Sequence, residues 1–360
     1  MKRLAWIRTA PPDLPGSMAA FAEMVSRGLS ANPSGWEMSF CDLIDPRGGT
    51  SMWEQHLWRL KNARRILAAH PADLYHWLDG SMAAFIPREL RKRSVVTVHD
   101  LIPLRQLRGE LPGKPSLPAA GIILRGLRAL RECAGVCAVS QATRADLARL
   151  AGIERGVEVV LVSFRSLPSP APLTGFDLPA KFIFHLGNNA PYKNRIGVAQ
   201  AFAHLRDCED LHLVLAGPPM SPELRAAVAG LDRVHLVGPV ADDQLAWLYR
   251  HATLLLFPSR YEGYGSPVLE AMALGCPVVC STAPSLVEVA GPAALFAPAE
   301  DAAALAVQCR RLLSDDCLRR EQIACGLARA AAFDVASMGR SLMKWYEQAH
   351  AALEKKESHA

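Results

Sequence analysis

Short β-rich apolar runs alternate with longer helical patterns along this whole chain, and few architectures accept that order. In the first half the strand candidates are RLAWIRT (3–9), WEMSFCD (36–42), DLYHW (73–77), SVVTV (94–98), AGVCAV (134–139) and VEVVLV (157–162). In the second half they are KFIFHL (181–186), LHLVLA (211–216), RVHLVG (233–238), TLLLF (253–257), PVVC (277–280) and AALF (293–296). Continuous apolar runs of this length suit strands covered on both faces, so the order predicts βα units around parallel sheets. Between the runs the helices are plain: SQATRADLARLAG opens on Ser140 as N-cap and closes on Gly152 as C-cap.

One stretch interrupts the alternation. SLPSPAPLTGFDLPA (166–180) carries Pro168, Pro170, Pro172 and Pro179, which forbid a regular element, and this is the expected linker. The chain has 360 residues, half of them hydrophobic, enough for two cores but long for one. The expected division is therefore an N-terminal α/β domain over residues 1–170 and a C-terminal one over 171–335. A helix over 336–360 follows, in which Met338, Leu342, Trp345 and Tyr346 share one face that must be buried.

Several classes of protein are excluded. The nine cysteines are an odd number without a CxxC pair, which argues against a disulfide framework or a zinc knuckle. Cys133 and Cys137, and Cys276 and Cys280, lie in apolar runs and read as buried small hydrophobes. No run reaches the ~18 apolar residues of a membrane span, so the expected location is cytoplasmic, at most peripheral on a membrane. Residues 1–170 hold 23 Lys and Arg against 15 Asp and Glu, whereas the remainder holds 17 against 20. A basic N-terminal half implies an anionic partner, a lipid surface or a phosphate-bearing acceptor; no nucleic-acid motif is present. Within it RELRKR (88–93) and Arg125, Arg128 and Arg131 of the helical stretch 117–133 form basic stripes. Such a stripe reads as a solvated face over the core or as a seat for anionic headgroups.

The chemistry concentrates in TLLLFPSRYEGYGSPVLEAMALGCPVV (253–279): a strand, a tight turn with Gly263 and Gly265, then a helix starting near Ser266 and Pro267. Proline in the first helical turn removes an N–H that has no intrahelical partner. The remaining N–H groups and the helix dipole favour an anion above them. Glu262 precedes the turn and Glu270 follows in the helix, and carboxylates accept hydrogen bonds from paired hydroxyls. An anion seat flanked by two carboxylates suits a ligand that carries both phosphate and sugar.

These residues carry a resemblance. The run from Glu262 through GYGSPVL to Glu270 resembles the Glu–seven residues–Glu motif of family 4 retaining glycosyltransferases. KFIFHLGNNAPYKN upstream and SLVEVAG (285–291) downstream extend it, and VTVHDLIPL (96–104) and AVSQATRADL (138–147) carry it into the N-terminal half. The resemblance implies the GT-B architecture: two Rossmann-like domains with parallel sheets facing across a cleft, and a last helix crossing back to the N-terminal domain. It implies Glu262 on donor-sugar hydroxyls, the backbone of Tyr264, Gly265 and Ser266 on sugar and diphosphate, and Glu270 on the ribose diol. Lys193 would neutralise the diphosphate, with Gly187 and Asn188 in the same loop and Arg195 as a substitute second cation. The base would lie against Gly238, Pro239 and Val240, recognised by backbone groups.

In the N-terminal half the resemblance places His99 beside the transferred sugar and Gly16 and Ser17 on the acceptor side. Asp79 and Ser140 also follow strands. The implied reaction moves a sugar, mannose as first choice with GDP-mannose as donor, to a hydroxyl of a glycan or lipid-linked acceptor. The implied partners are a nucleoside-diphosphate sugar, that acceptor and an anionic membrane surface, with no metal or other cofactor. The match most resembles bacterial mannosyltransferases of polysaccharide or lipopolysaccharide assembly. Two alternatives stay open: a nucleotide-sugar epimerase on the same architecture, and a glycosyltransferase-like binding subunit without turnover. A nicotinamide dehydrogenase is disfavoured, because GYGSP is only a fragment of a dinucleotide fingerprint.

Overall fold

The computed structural model describes residues 1–11, 17–32, 35–48 and 51–358. Contacts divide the chain into two units: Met1–Ser163 together with the residues from Asp334 onward, and Phe164–Phe333.

Unit 1 runs β1 (Lys2–Arg8), α1 (Ser17–Ser30), β2 (Trp36–Asp42), α2 (Met52–Ala68), β3 (Leu74–Trp77), β4 (Ser94–Val98), α3 (Ile102–Leu107), α4 (Leu117–Glu132), β5 (Gly135–Ala138), α5 (Gln141–Ala151) and β6 (Val157–Val159). Its strands pair in parallel in the order β2-β1-β3-β4-β5-β6. All five residues of β4 are buried, as its unbroken β-branched run requires. Ser140 caps α5 by accepting from the Thr143 amide, and Gly152 ends it in the left-handed region at φ 62°.

Unit 2 runs β7 (Phe182–Leu186), α6 (Arg195–Ala203), β8 (His212–Ala216), α7 (Pro222–Val228), β9 (Val234–Gly238), α8 (Asp242–His251), β10 (Leu254–Phe257), α9 (Ser266–Ala273), β11 (Val278–Ser281), α10 (Pro284–Ala290), β12 (Ala294–Ala297), α11 (Ala302–Ser314) and α12 (Asp316–Ala331). Its sheet is also parallel, in the order β12-β11-β10-β7-β8-β9. The core contains Ile183, Phe202, Leu213, Leu256 and Leu305. Every strand expected from the apolar runs forms, with ends shifted by a few residues at most.

The proline-rich stretch carries no helix or strand, but it is not a loose tether. The Ala171 amide donates to the Asp243 carbonyl at 3.1 Å, and Leu173 is buried. Because these contacts tie the stretch to unit 2, the chain divides at Ser163 and Phe164 rather than within the prolines.

A final helix, α13 (Val335–Glu357), belongs to unit 1 and is capped by the Asp334 side chain. Met338, Leu342, Trp345 and Tyr346 are all buried there. The α13 backbone lies directly against α1: a Cβ added to Gly339 would fall 2.0 Å from the Gly28 carbonyl oxygen. Only glycine permits that approach.

The basic stripes divide in role. Arg125 Nε donates to the Ala84 carbonyl at 2.7 Å, Arg131 donates to the Ala151 carbonyl, and buried Arg91 pairs with Glu132 at 2.9 Å. Those three anchor unit 1 to itself, although Arg125 and Arg131, like Arg128, stay largely exposed. All nine cysteines are free thiols; burial raises Cys41 to about 11 and Cys137 to about 12.

Candidate active site

In an open parallel sheet, ligands sit beyond the carboxyl ends of the strands where the strand order reverses. In unit 2 that point lies between β7 and β10, so the loops after these two strands share one site. They are stitched together. Asn194 adopts the left-handed region at φ 56°, which asparagine tolerates better than most side chains. Its carboxamide accepts from the Gly197 amide and donates to the carbonyls of Pro258 at 3.1 Å and Ala299 at 2.7 Å. From the other loop, Arg260 donates its amide to the Tyr192 carbonyl at 2.8 Å and its guanidinium to the Pro191 carbonyl at 2.6 Å.

The stitching brings Lys193 and Glu262 together: Nζ lies 2.7 Å from Oε1, a short charge-assisted bond. The ammonium also lies over the rings of Phe257 and Tyr192, 5.4 and 5.5 Å from their centroids. The Ser285 hydroxyl donates to the Glu262 carbonyl at 2.7 Å and fixes the loop from α10. Gly265 then turns the chain at φ 110° into α9, with Pro267 in its first turn. A Cβ on Gly265 would lie 2.5 Å from Leu286 Cδ2. Tyr264 is buried against Phe333, and Ser266 begins the helix.

Glu270, in α9, is buried. The Tyr249 hydroxyl donates to its Oε2 at 3.2 Å, and Arg165 Nε approaches Oε1 at 3.4 Å. The same guanidinium reaches Asp242 Oδ1 at 2.6 Å. Burial raises the Glu270 carboxyl above its ordinary range, opposed by the charge of Arg165 and the hydrogen bond from Tyr249.

Of the other expected residues, Gly187 lies beside Lys193: a Cβ there would fall 3.6 Å from the Lys193 Cβ. Asn188 folds back on its own loop, accepting from the Ala190 amide at 3.0 Å, while the Gly187 amide donates to the Ala216 carbonyl at 3.2 Å. Arg195 is buried and donates to Asn189 Oδ1 at 2.5 Å and the Pro218 carbonyl at 3.1 Å, so its contacts are with its own loop and the one after β8. Gly238 ends β9 at φ 72°, and Pro239 and Val240 follow it, at the sheet edge beyond β8.

In unit 1 the strand order reverses between β1 and β3. Arg8, Thr9, Phe40, Glu23 and Asp79 line a cavity of about 290 Å³ there. A second cavity, about 410 Å³, opens beside His99 and Asp100 and is walled by Leu104, Ile122, Ile123 and Leu127. His99 Nε2 lies 2.9 Å from the Leu78 carbonyl oxygen, so that nitrogen carries a proton, and in the neutral ring Nδ1 is the acceptor. Phe21 meets the imidazole edge-on. Asp79 caps the turn Gly80–Phe85 through the Ser81 amide, and Ser140 is buried as the cap of α5. Gly16 lies outside the described residues, and Ser17 begins α1.

Sequence reasoning missed Arg165, Tyr249 and Asn194. Only Asn194 had a local signal, the tolerance of asparagine for a left-handed turn before a helix.

Comparisons with known proteins agree with this layout. A profile described as Glycosyl transferases group 1 matches residues 180–315, and one described as Glycosyltransferase Family 4 matches residues 43–162. An O-antigen chain mannosyltransferase B of Escherichia coli is 44% identical over 28% of this chain and 26% of its own. A serotype-specific mannosyltransferase WbdA of the same organism is 28% identical over 73% of this chain and 33% of its own. The matched stretch thus spans a quarter to a third of these relatives. Among solved structures, sucrose-phosphate synthase from Thermosynechococcus elongatus superposes with a TM-score of 0.79 at 19% identity, covering 98% of this chain and 100% of that one. Anabaena Alr3699/HepE in complex with UDP-glucose gives 0.71 at 18% identity, covering 96% and 99%. The fold is therefore that of the GT-B glycosyltransferases. With one profile matched in each half of the sequence and the Glu262–Glu270 motif set at the strand-order reversal of unit 2, the chain is similar to the family 4 glycosyltransferases across both of its units.

Proposed function

We propose that this protein transfers a mannosyl group from a nucleoside-diphosphate sugar, GDP-mannose as first choice, to a hydroxyl of a glycan or lipid-linked acceptor. The observation that carries this reading is the Lys193–Glu262 pair at the strand-order reversal, with Glu270 in the helix that follows the Glu262 turn. An incoming diphosphate competes with Glu262 for the ammonium, and the freed carboxylate accepts from the sugar hydroxyls. The mannosyltransferase names of the two curated relatives support the choice of sugar.

The reaction breaks the bond between the anomeric carbon and the diphosphate oxygen and forms one to the acceptor oxygen. The hydroxyl proton goes to the leaving phosphate, and attack on the face it vacates retains the anomeric configuration. Lys193 and the amides at the start of α9 stabilise the charge that develops on the leaving group. His99, with Nδ1 as acceptor, takes a hydrogen bond from a sugar hydroxyl. This arrangement needs no divalent metal.

The acceptor side faces anionic lipid. Helices α2 and α4 and the turn Arg88–Arg93 expose nine Lys and Arg against three Glu. The same two helices expose Met52, Trp53, Leu57, Leu60, Leu117 and Leu124. Basic residues among exposed large apolar ones suit the headgroup region of a cytoplasmic membrane face. Among the described residues no helix is long and apolar enough to cross a membrane.

The test incubates the protein with radiolabelled GDP-mannose, UDP-glucose or UDP-galactose and lipid-linked glycan extracts, with and without EDTA. Label should pass from GDP-mannose to an α-linked product, undiminished by chelator. Conversion of the donor to an isomer alone, or activity that returns only with Mg²⁺ or Mn²⁺, contradicts the reading.

A further inference from the structure

Glu270 receives its charged partner from an unexpected place. Arg165 lies on neither of the helices α8 and α9 but in the irregular stretch between β6 and β7, six residues past the end of β6. Its guanidinium spans two carboxylates, Nε toward Glu270 Oε1 at 3.4 Å and NH1 on Asp242 Oδ1 at 2.6 Å. Asp242 is half exposed and Glu270 almost wholly buried, so the outer carboxylate anchors the arginine and the inner one depends on it.

We propose that Arg165 is a positioning residue for Glu270, holding the buried carboxylate charged and oriented so that each of its oxygens keeps a lone pair for one hydroxyl of a ribose diol. The proposal rests on the reading of Glu270 as the acceptor for that diol.

Hydrogen-bond accounting supports the geometry. An ionised carboxylate offers about four acceptor sites. Tyr249 uses one on Oε2 and Arg165 one on Oε1, leaving one on each oxygen. A vicinal diol donates two hydrogen bonds side by side. A protonated Glu270 would instead present an O–H and lose one acceptor, so the site works only while the carboxylate is charged. The groups facing it are Arg165, the Tyr249 hydroxyl and, across the guanidinium, Asp242; Cys276 lies behind Tyr249 with its thiol held neutral by burial. Arg165 is the one cation in that set. Burial pushes the Glu270 carboxyl up and Arg165 opposes it, so removing the arginine raises the pH at which the site becomes competent.

The experiment titrates GDP and UDP, and separately their 2′-deoxy counterparts, into wild type, Arg165→Met, Arg165→Lys and Glu270→Gln from about pH 5.5 to about pH 8.5. Arg165→Met should bind the ribonucleotide about tenfold more weakly at neutral pH and recover as the pH rises, since each unit of carboxyl shift changes the ionised fraction about tenfold. Its preference for ribose over 2′-deoxyribose should collapse at neutral pH and return in alkali, and Arg165→Lys should restore most of both. A wild-type pH profile and ribose preference in Arg165→Met overturn the proposal. So does a loss of affinity that is uniform across pH, the mark of a missing charge near the diphosphate. If Glu270→Gln keeps the wild-type ribose preference, or if wild type binds neither nucleotide, the diol reading itself fails and the role of Arg165 falls with it.

Discussion

His76 Nδ1 and the Tyr346 hydroxyl, 270 positions apart in the chain, lie 2.7 Å from each other in the buried interior of unit 1. On its other side the imidazole meets Thr97 Oγ1, also at 2.7 Å, so one ring ties β3, β4 and α13 together. Tyr346→Phe would leave a buried ring nitrogen without its partner and should cost about 1–3 kcal/mol, read as a drop in denaturation midpoint at unchanged m-value. Truncation after residue 332 removes the whole buried stripe and should abolish cooperative unfolding of unit 1. Truncation after residue 355 should leave both stability and transfer unchanged.

The same histidine makes stability depend on pH. Burial holds His76 down to about 3 and His185 down to about 4, whereas in the unfolded chain both titrate near 6.5. Below about 6.5 the unfolded state therefore binds more protons than the folded state, and stability falls as the pH drops toward 4. Each such histidine contributes a slope of up to about 1.4 kcal/mol per pH unit. Denaturant midpoints measured between about pH 7.5 and about pH 4.5 should decline, and His76→Gln should flatten part of that decline at the expense of stability at neutral pH.

Lys193→Met and Glu262→Gln should each lower transfer on the order of 10²–10³-fold, because each removes a preorganised contact to the reacting group. Their stabilities should separate them from the double variant. Breaking one side of a largely buried pair leaves a charge unmatched, at up to about 3 kcal/mol, whereas removing both leaves none. Calorimetry should rank Lys193→Met below Lys193→Met/Glu262→Gln in melting temperature, with all three variants depressed in activity.

Two glycines should respond with opposite sign. At Gly265, φ is 110° and an added Cβ would meet Leu286, so Gly265→Ala should distort the start of α9 and depress both stability and donor affinity. Gly121 sits inside α4, where a Cβ would have nothing within 4 Å and φ is not positive. Gly121→Ala should raise stability by roughly 0.5–1 kcal/mol through helix propensity alone, with activity unchanged.

Much of this was legible in the sequence because it is written in local pattern. β4 shows itself as SVVTV, α5 by Ser140 and Gly152, and the turn into α9 by Gly265 and Pro267. The pairings across distance were not. Arg165 stands among serines and prolines and looks like a solvated linker residue; only the folded sheet brings Glu270 within its reach. Tyr249 reads as one more core aromatic in LAWLYRH, and nothing in its neighbourhood marks its hydroxyl for a carboxylate. Gly28 and Gly339 are each ordinary helix residues by sequence, and their contact exists only once α1 and α13 are side by side.

That last contact orders events during synthesis. Gly28 is translated more than three hundred residues before Gly339, and at about 5–20 residues per second the delay is roughly 15–60 s. Through that interval the nascent chain completes the whole of unit 2, which is continuous in sequence, while the side of α1 that receives α13 stays uncovered at the ribosome. The half made first is thus the half finished last, and its unsealed helix face is where a holding chaperone has something to grip.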